Sequence, residues 1–237
     1  MYLAGSPGLP PPALPQPGDA DTLYAQRGDL SKARRAAEIW DQQLRRNGAD
    51  FEAAWKLARA HFWLGAHASE NERKTFLEQG IAAGRIAVTQ KPDRPEGHFW
   101  MAANMGSLAE SFGLRQGLKY RGDIRDQLLT VLKLDAPFQQ GSADRALGRW
   151  YLKVPGLFGG SKKKSEEHLR QSLTYNQNSI SSRFFLAETL LEMDRKAEAL
   201  AELRRVGELQ PDPEWIPEDQ EFKRKAQRLL TTLLQRR

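Results

Sequence analysis

The chain has 237 residues, 40% hydrophobic and 28% charged, the balance of an ordinary globular domain. No apolar run approaches the roughly 20 residues a membrane-crossing helix needs, and the absence of cysteine excludes disulfides and cysteine-ligated metals. The formal charge is +6, but 36 basic residues are scattered among 30 acidic ones; with only Lys162-Lys163-Lys164 and Lys223-Arg224-Lys225 as dense runs, this reads as a solvated surface and not as a nucleic-acid site.

Residues 1–20 are rich in proline, which lacks an N–H donor and resists helix, so a disordered leader is expected ahead of a single domain over 21–237. The leader has neither the basic start nor the apolar stretch of a secretory signal. Beyond it, apolar and small residues recur at helical spacing. Gly28, Leu30, Ala33, Ala37 and Trp40 mark a first, degraded unit. Trp55, Ala58, Arg59 and Phe62, then Gly80, Gly84 and Ala87, mark a second that stops at Pro92. The third runs through His98, Met101, Ala102 and Met105, then Leu129 and Leu132, to Asp135-Ala136-Pro137. Asp144, Leu147, Gly148 and Tyr151, then Ser165, Leu169, Ser172 and Leu173, make a fourth; Arg183, Leu186, Ala187 and Leu190, then Ala199, Leu203 and Pro211, make a fifth. Residues 218–237 form an amphipathic cap through Phe222, Ala226, Leu229, Leu230 and Leu233. No segment alternates with a period of two, so no strand is expected.

These units resemble the tetratricopeptide repeat: two antiparallel helices in about 34 residues, with W-x2-L-G-x2-Y, then A-x3-F, then P. The expected fold is all-α, a superhelical array of about five helix pairs with a C-terminal capping helix. Units two to four are longer than the standard, and the extra residues (64–73, 111–122 and 155–160) fall between first and second helix, where loops would cluster on one edge.

A narrower resemblance lies in Gly148-Arg149-Trp150-Tyr151-Leu152-Lys153-Val154-Pro155-Gly156-Leu157-Phe158-Gly159-Gly160-Ser161, which is similar to the signature of the TatT family, the T components of TRAP transporters. Supporting blocks are Pro95 to Leu108 and Leu128 to Phe138. The resemblance implies a helical repeat bundle that assembles as a ring, a homotrimer. It also implies partnership with a periplasmic solute-binding protein, an apolar channel for a small hydrophobic or lipid-like ligand, and a periplasmic location. The family's members are typically exported, often with an N-terminal cysteine; this chain shows neither signal nor cysteine, so a cytoplasmic location is the alternative.

No catalytic constellation is legible, and no enzyme activity, cofactor or metal is expected. His61 and His67 are six apart and do not share a helix face; Glu166-Glu167-His168 lacks a second histidine. Gly156 to Lys164 is not the nucleotide loop G-x4-G-K-[ST]. Its backbone N–H groups at Gly159, Gly160 and Ser161 can either hold an anion weakly or simply turn the chain, with Ser161 capping the next helix. The better lead is aromatic. Neighbouring residues on a helix stand about 100° apart, so Trp63, Trp100 and Trp150 can face a groove while Phe62, Phe99 and Tyr151 pack inside. Asn104, Arg149, Lys153, Phe158, Gly159 and Gly160 complete the candidate ligand- and partner-binding set. The expected function is non-catalytic binding of the TatT kind; the alternative is a generic scaffold holding a peptide segment of a partner protein.

Overall fold

The computed structural model describes residues 17–235, and no strand occurs among the described residues. The helices are α1 (Pro17–Ala25), α2 (Leu30–Arg46), α3 (Phe51–His67), α4 (Glu70–Gln90), α5 (Pro95–Ser111), α6 (Leu114–Leu134), α7 (Phe138–Lys153), α8 (Lys162–Tyr175), α9 (Ile180–Glu192), α10 (Lys196–Glu208) and α11 (Ile216–Gln235). Local chemistry sets several boundaries. Asp29, Asp50, Ser161 and Ser179 accept hydrogen bonds from backbone N–H groups of the first turns of α2, α3, α8 and α9, each such cap contributing about 1 kcal/mol. Pro95 opens α5 where its missing N–H costs nothing. Pro92, Pro137 and Pro211 follow α4, α6 and α10 and prevent their continuation.

Consecutive helices pack as antiparallel pairs, and α3, α5, α7, α9 and α11 also neighbour one another in that order, forming the inner wall. The array is therefore five pairs, from α1/α2 to α9/α10, closed by α11. Close approach depends on small residues: a Cβ on Gly84 would stand 2.9 Å from the Cα of Met101, so α4 and α5 could not meet there with alanine. One apolar core runs from α1 to α7, and a second joins α8 to α11. Between α8 and α9 lies a seam of buried hydroxyls, Ser165 to Thr189 and Ser172 to Ser182, both at 2.8 Å, which satisfies polar atoms in place of apolar packing.

Three expectations need revision. The extra residues of units two and three do not form loops: they lengthen α4 and α6 to 21 residues each, leaving turns of two residues. Their charged and long-chain residues favour helix, and the added turns remain hydrogen-bonded internally. Of the three longer segments, only the one at 154–161 is a true loop. The core face of α6 is Ile124, Leu128 and Val131, whereas Leu129 is 36% exposed; the run of apolar residues offers two stripes, and packing selects one. Of the expected leader, residues 1–16 lie outside the described residues, but 17–20 begin α1, where Ala20 is fully buried against the core.

Candidate functional site

The loop from Val154 to Ser161 joins α7 to α8 by a tight fold. A single 3-10 turn, Gly156–Phe158, follows Pro155. Gly159 then takes φ +104°, a conformation open chiefly to glycine, and a Cβ on Gly160 would fall 1.6 Å from the carbonyl oxygen of Val154. The backbone N–H groups are engaged internally: Gly159 donates to Gly156, Gly160 to Pro155 and Ser161 to Tyr151. The Ser161 Oγ accepts from Lys164 N at 3.2 Å. Gly159 and Gly160 therefore turn the chain and Ser161 caps α8, so these three N–H groups form no cradle for an anion.

The turn pushes two apolar side chains outward. Leu157 is 89% exposed and Phe158 37%, with the Arg121 guanidinium 5.5 Å from the Phe158 ring. Phe112, at the α5–α6 turn, is equally open. Exposed cations follow on the adjoining helices: Arg115 and Lys119 on α6, Lys153 at the end of α7, and Lys163, 3.9 Å from Glu167, on α8. Lys162 reaches Glu192 at 3.3 Å, and Lys164 lies over the Tyr151 ring.

The tryptophans lie elsewhere. Trp63, Trp100 and Trp150 are 5%, 4% and 7% exposed, so they do not face a groove; Phe99 is buried, and Phe62 and Tyr151 are half-buried. Each indole is covered from its own surroundings. Trp63 donates Nε1–H to the Arg27 carbonyl at 2.8 Å and stacks on His67. Trp100 is wedged between Phe62 and Phe99. Trp150 donates to the Arg121 carbonyl at 3.0 Å. Asn104 is wholly buried and donates Nδ2–H to the carbonyls of Ala58 and Trp100, tying α5 to α3. Arg149 links three inner-wall helices, gripping Glu110 at 2.6 and 2.7 Å and Glu188 at 3.2 Å. Burial acts against its charge, but these two carboxylates outweigh it and hold the guanidinium above its ordinary pKa. Of the expected set, Phe158, Gly159 and Gly160 share the 154–161 edge, and Lys153, just before it, lines a cleft with Glu188, Glu192 and Leu229; Trp63, Trp100 and Asn104 belong to the interior, Trp150 closes the core behind the loop, and Arg149 is an inner-wall brace. Nothing in the spacing of Leu157 distinguishes an exposed leucine from a packed one, so its projection is visible only in the fold.

The histidines hold structural positions. His98 is buried between the Gln127 side chain and the Pro92 carbonyl, and His168 contacts Asp144 at 2.7 Å while stacking on Tyr151. Among the described residues no group of three His, Cys, Asp or Glu could hold a metal ion.

The sequence also missed a cluster built from both chain ends. Arg27, in the α1–α2 turn, grips Glu218 of α11 through Nε at 2.7 Å and Nη2 at 2.5 Å, and donates to the Glu214 carbonyl at 2.8 Å. His67 faces Glu221 at 3.1 Å. No local signal could have found a pair separated by 191 residues.

Stacked helix pairs with a capping helix define the class: a tetratricopeptide-like repeat protein. The thermophilic TPR protein TTC0263 of Thermus thermophilus is similar in structure over 91% of this chain and 100% of that one, with a TM-score of 0.69 and 21% identity. A crystal structure of MamA is similar over 84% of this chain and 95% of its own, with a TM-score of 0.52 and 13% identity; another covers 88% and 96%, at 0.50 and 15%. At these identities the likeness speaks of fold alone. None of the curated proteins matches the chain. The sequence model of the family described as Regulator of microtubule dynamics protein 1-3 matches residues 18–166, more than half of the chain, and the chain belongs to that family.

Proposed function

We propose that this protein is a non-catalytic scaffold that docks an acidic partner protein on the edge formed by the 154–161 loop and the start of α6. The carrying observation is the exposure of Leu157, 89%, beside Phe158 on a loop held by its own backbone hydrogen bonds. An apolar tip held rigidly outward loses little entropy on binding, and the Arg121 guanidinium beside Phe158, with the exposed cations of the adjoining helices, favours an acidic counterpart. The family's description directs the first probe to assembled tubulin. The chain is expected to co-sediment with it, and the variant Lys153→Glu/Leu157→Ser/Phe158→Ser to bind about tenfold or more weakly while keeping its helical circular dichroism. A chain left in the supernatant removes that partner; a variant that pellets as well as its parent removes this edge.

A second reading follows from the TatT likeness of Gly148 to Ser161, whose Pro155, Gly159 and Gly160 build the one long loop between the helices of a pair among the described residues. In that reading the partner is a periplasmic solute-binding protein and the chain assembles as a trimer. Sedimentation equilibrium at the mass of one chain would discard the trimer.

A further inference from the structure

Where the α1–α2 turn meets α3, two guanidiniums sit among aromatic rings. Arg27 has its centre 5.2 Å from the Tyr24 ring, 5.6 Å from Trp63 and 5.7 Å from Trp215. Its side chain is 5% exposed, and Glu218 neutralises it in a bidentate pair. Arg59, on α3, lies 4.3 Å from the Tyr24 ring and 4.9 Å from Trp55. It is less well served: its nearest carboxylate oxygen, on Asp21, is 3.7 Å away and that carboxylate is shared with Lys56, and its buried Nε has no acceptor among the described residues. A buried cation lacking a full set of acceptors is an incomplete arrangement, and a further carboxylate would complete it.

The Arg27 side of this corner is covered by the start of α11, which is fixed by charge in its first turns and by apolar packing beyond them, where Phe222 meets Phe184 and Phe185. Its first turns bring Glu218 to Arg27 and Glu221 to His67, and Asp219 acts on the half-buried Arg145 of α7. Along α11 only Asp219 and Ala226 are buried, and Ile216 is 43% exposed. The apolar stripe, Phe222 with Leu229, Leu230 and Leu233, is partly buried against the second core. An acidic first turn followed by an apolar stripe at helical spacing is thus a pattern that this surface accepts.

We propose that the Arg27–Arg59 corner, between the α1–α2 turn and α3, is a docking site for an acidic amphipathic helix of a partner protein, and that α11 covers its Arg27 side in the isolated chain by presenting the same chemistry. The site is separate from the 154–161 edge and does not depend on docking there. A tethered α11 competes at an effective concentration on the order of millimolar, so an outside helix gains access when the tether is loosened.

The test uses a dye-labelled synthetic peptide of residues 212–235 and the full-length chain, read by fluorescence anisotropy. The peptide is expected to bind Glu218→Ala/Phe222→Ala at least about tenfold more tightly than the unsubstituted chain. Adding Arg27→Ala/Arg59→Ala should abolish that gain. A peptide with Glu214, Glu218 and Glu221 changed to glutamine and Asp219 to asparagine should fail to bind. Equal binding by the amide peptide, or no gain on loosening α11, overturns the proposal, as does a doubled mass in sedimentation showing that α11 exchanges between two copies. Should Glu218→Ala/Phe222→Ala lose its helical signal, hydrogen exchange on the unsubstituted chain decides. The first half of α11 should then exchange well ahead of α9, and exchange only together with α9 overturns the proposal.

Discussion

His61 shows how a single buried side chain imposes a pH dependence. It lies on α3 with its ring 5.6 Å from Phe76, is 8% exposed, and keeps Nδ1 without an acceptor or donor among the described residues. Burial opposes the imidazolium, and the weaker pull of Asp41 does not restore it, so the pKa is pushed down to about 4. The unfolded chain takes up this proton as the pH falls below about 6.5, while the folded chain refuses it until about 4. Stability is therefore expected to be flat above about pH 6.5 and to fall by on the order of 3 kcal/mol between those values. Urea unfolding of the parent and of His61→Leu at about pH 7 and about pH 5 checks this: the substitution should remove that loss. Glu221 acts in a separate, more acidic window. The hydrogen bond from His67, and then that from Lys225, hold its carboxyl down to about 2, so its contribution is present above the ordinary carboxylate range and lost as the pH falls towards 2.

At the scale of the element, α7 and its loop separate stability from binding. Trp150 is 7% exposed, and its indole N–H satisfies the Arg121 carbonyl of α6. Trp150→Ala should cost about 3–5 kcal/mol, since it opens a cavity and strands that carbonyl. Leu157→Ser, a few residues along, should stay within about 0.5 kcal/mol. A urea midpoint for each variant measures the contrast, and comparable losses would contradict the assignment of Trp150 to the core. The helix boundaries here were legible because Gly148, Tyr151 and Pro155 fall at repeat spacing and Ser161 stands where a cap belongs. The orientation of the tryptophans was not. Helical spacing separates Trp150 from Tyr151 by about 100°, but neighbouring helices cover both directions, and coverage is a property of the stack. The same reason explains why the extra residues of units two and three became helix: the repeat pattern locates additional length without stating its conformation.

At the scale of the molecule, the array is closed by contacts between its ends. Arg27 and Glu218 join the α1–α2 turn to α11, and a Cβ on Gly28 would sit 3.9 Å from Pro217. Removing one member leaves the other partly buried and unpaired, so Arg27→Ala should lower stability by on the order of 3 kcal/mol. A double-mutant cycle with Glu218→Ala, followed by thermal unfolding, should return a coupling energy of about 1–3 kcal/mol. Coupling near zero would mean that the clasp contributes nothing to closure.

Periodicity, glycine and proline placement and capping residues were enough to determine the all-helical class, the order of the pairs and the capping helix, because these depend on neighbours within one or two turns. The tertiary structure decided which aromatics are covered, that Leu157 and Phe158 project, and that Arg27 meets Glu218. Each of these outcomes depends on which surfaces are brought together across many residues of chain, and helical spacing carries no information about that meeting.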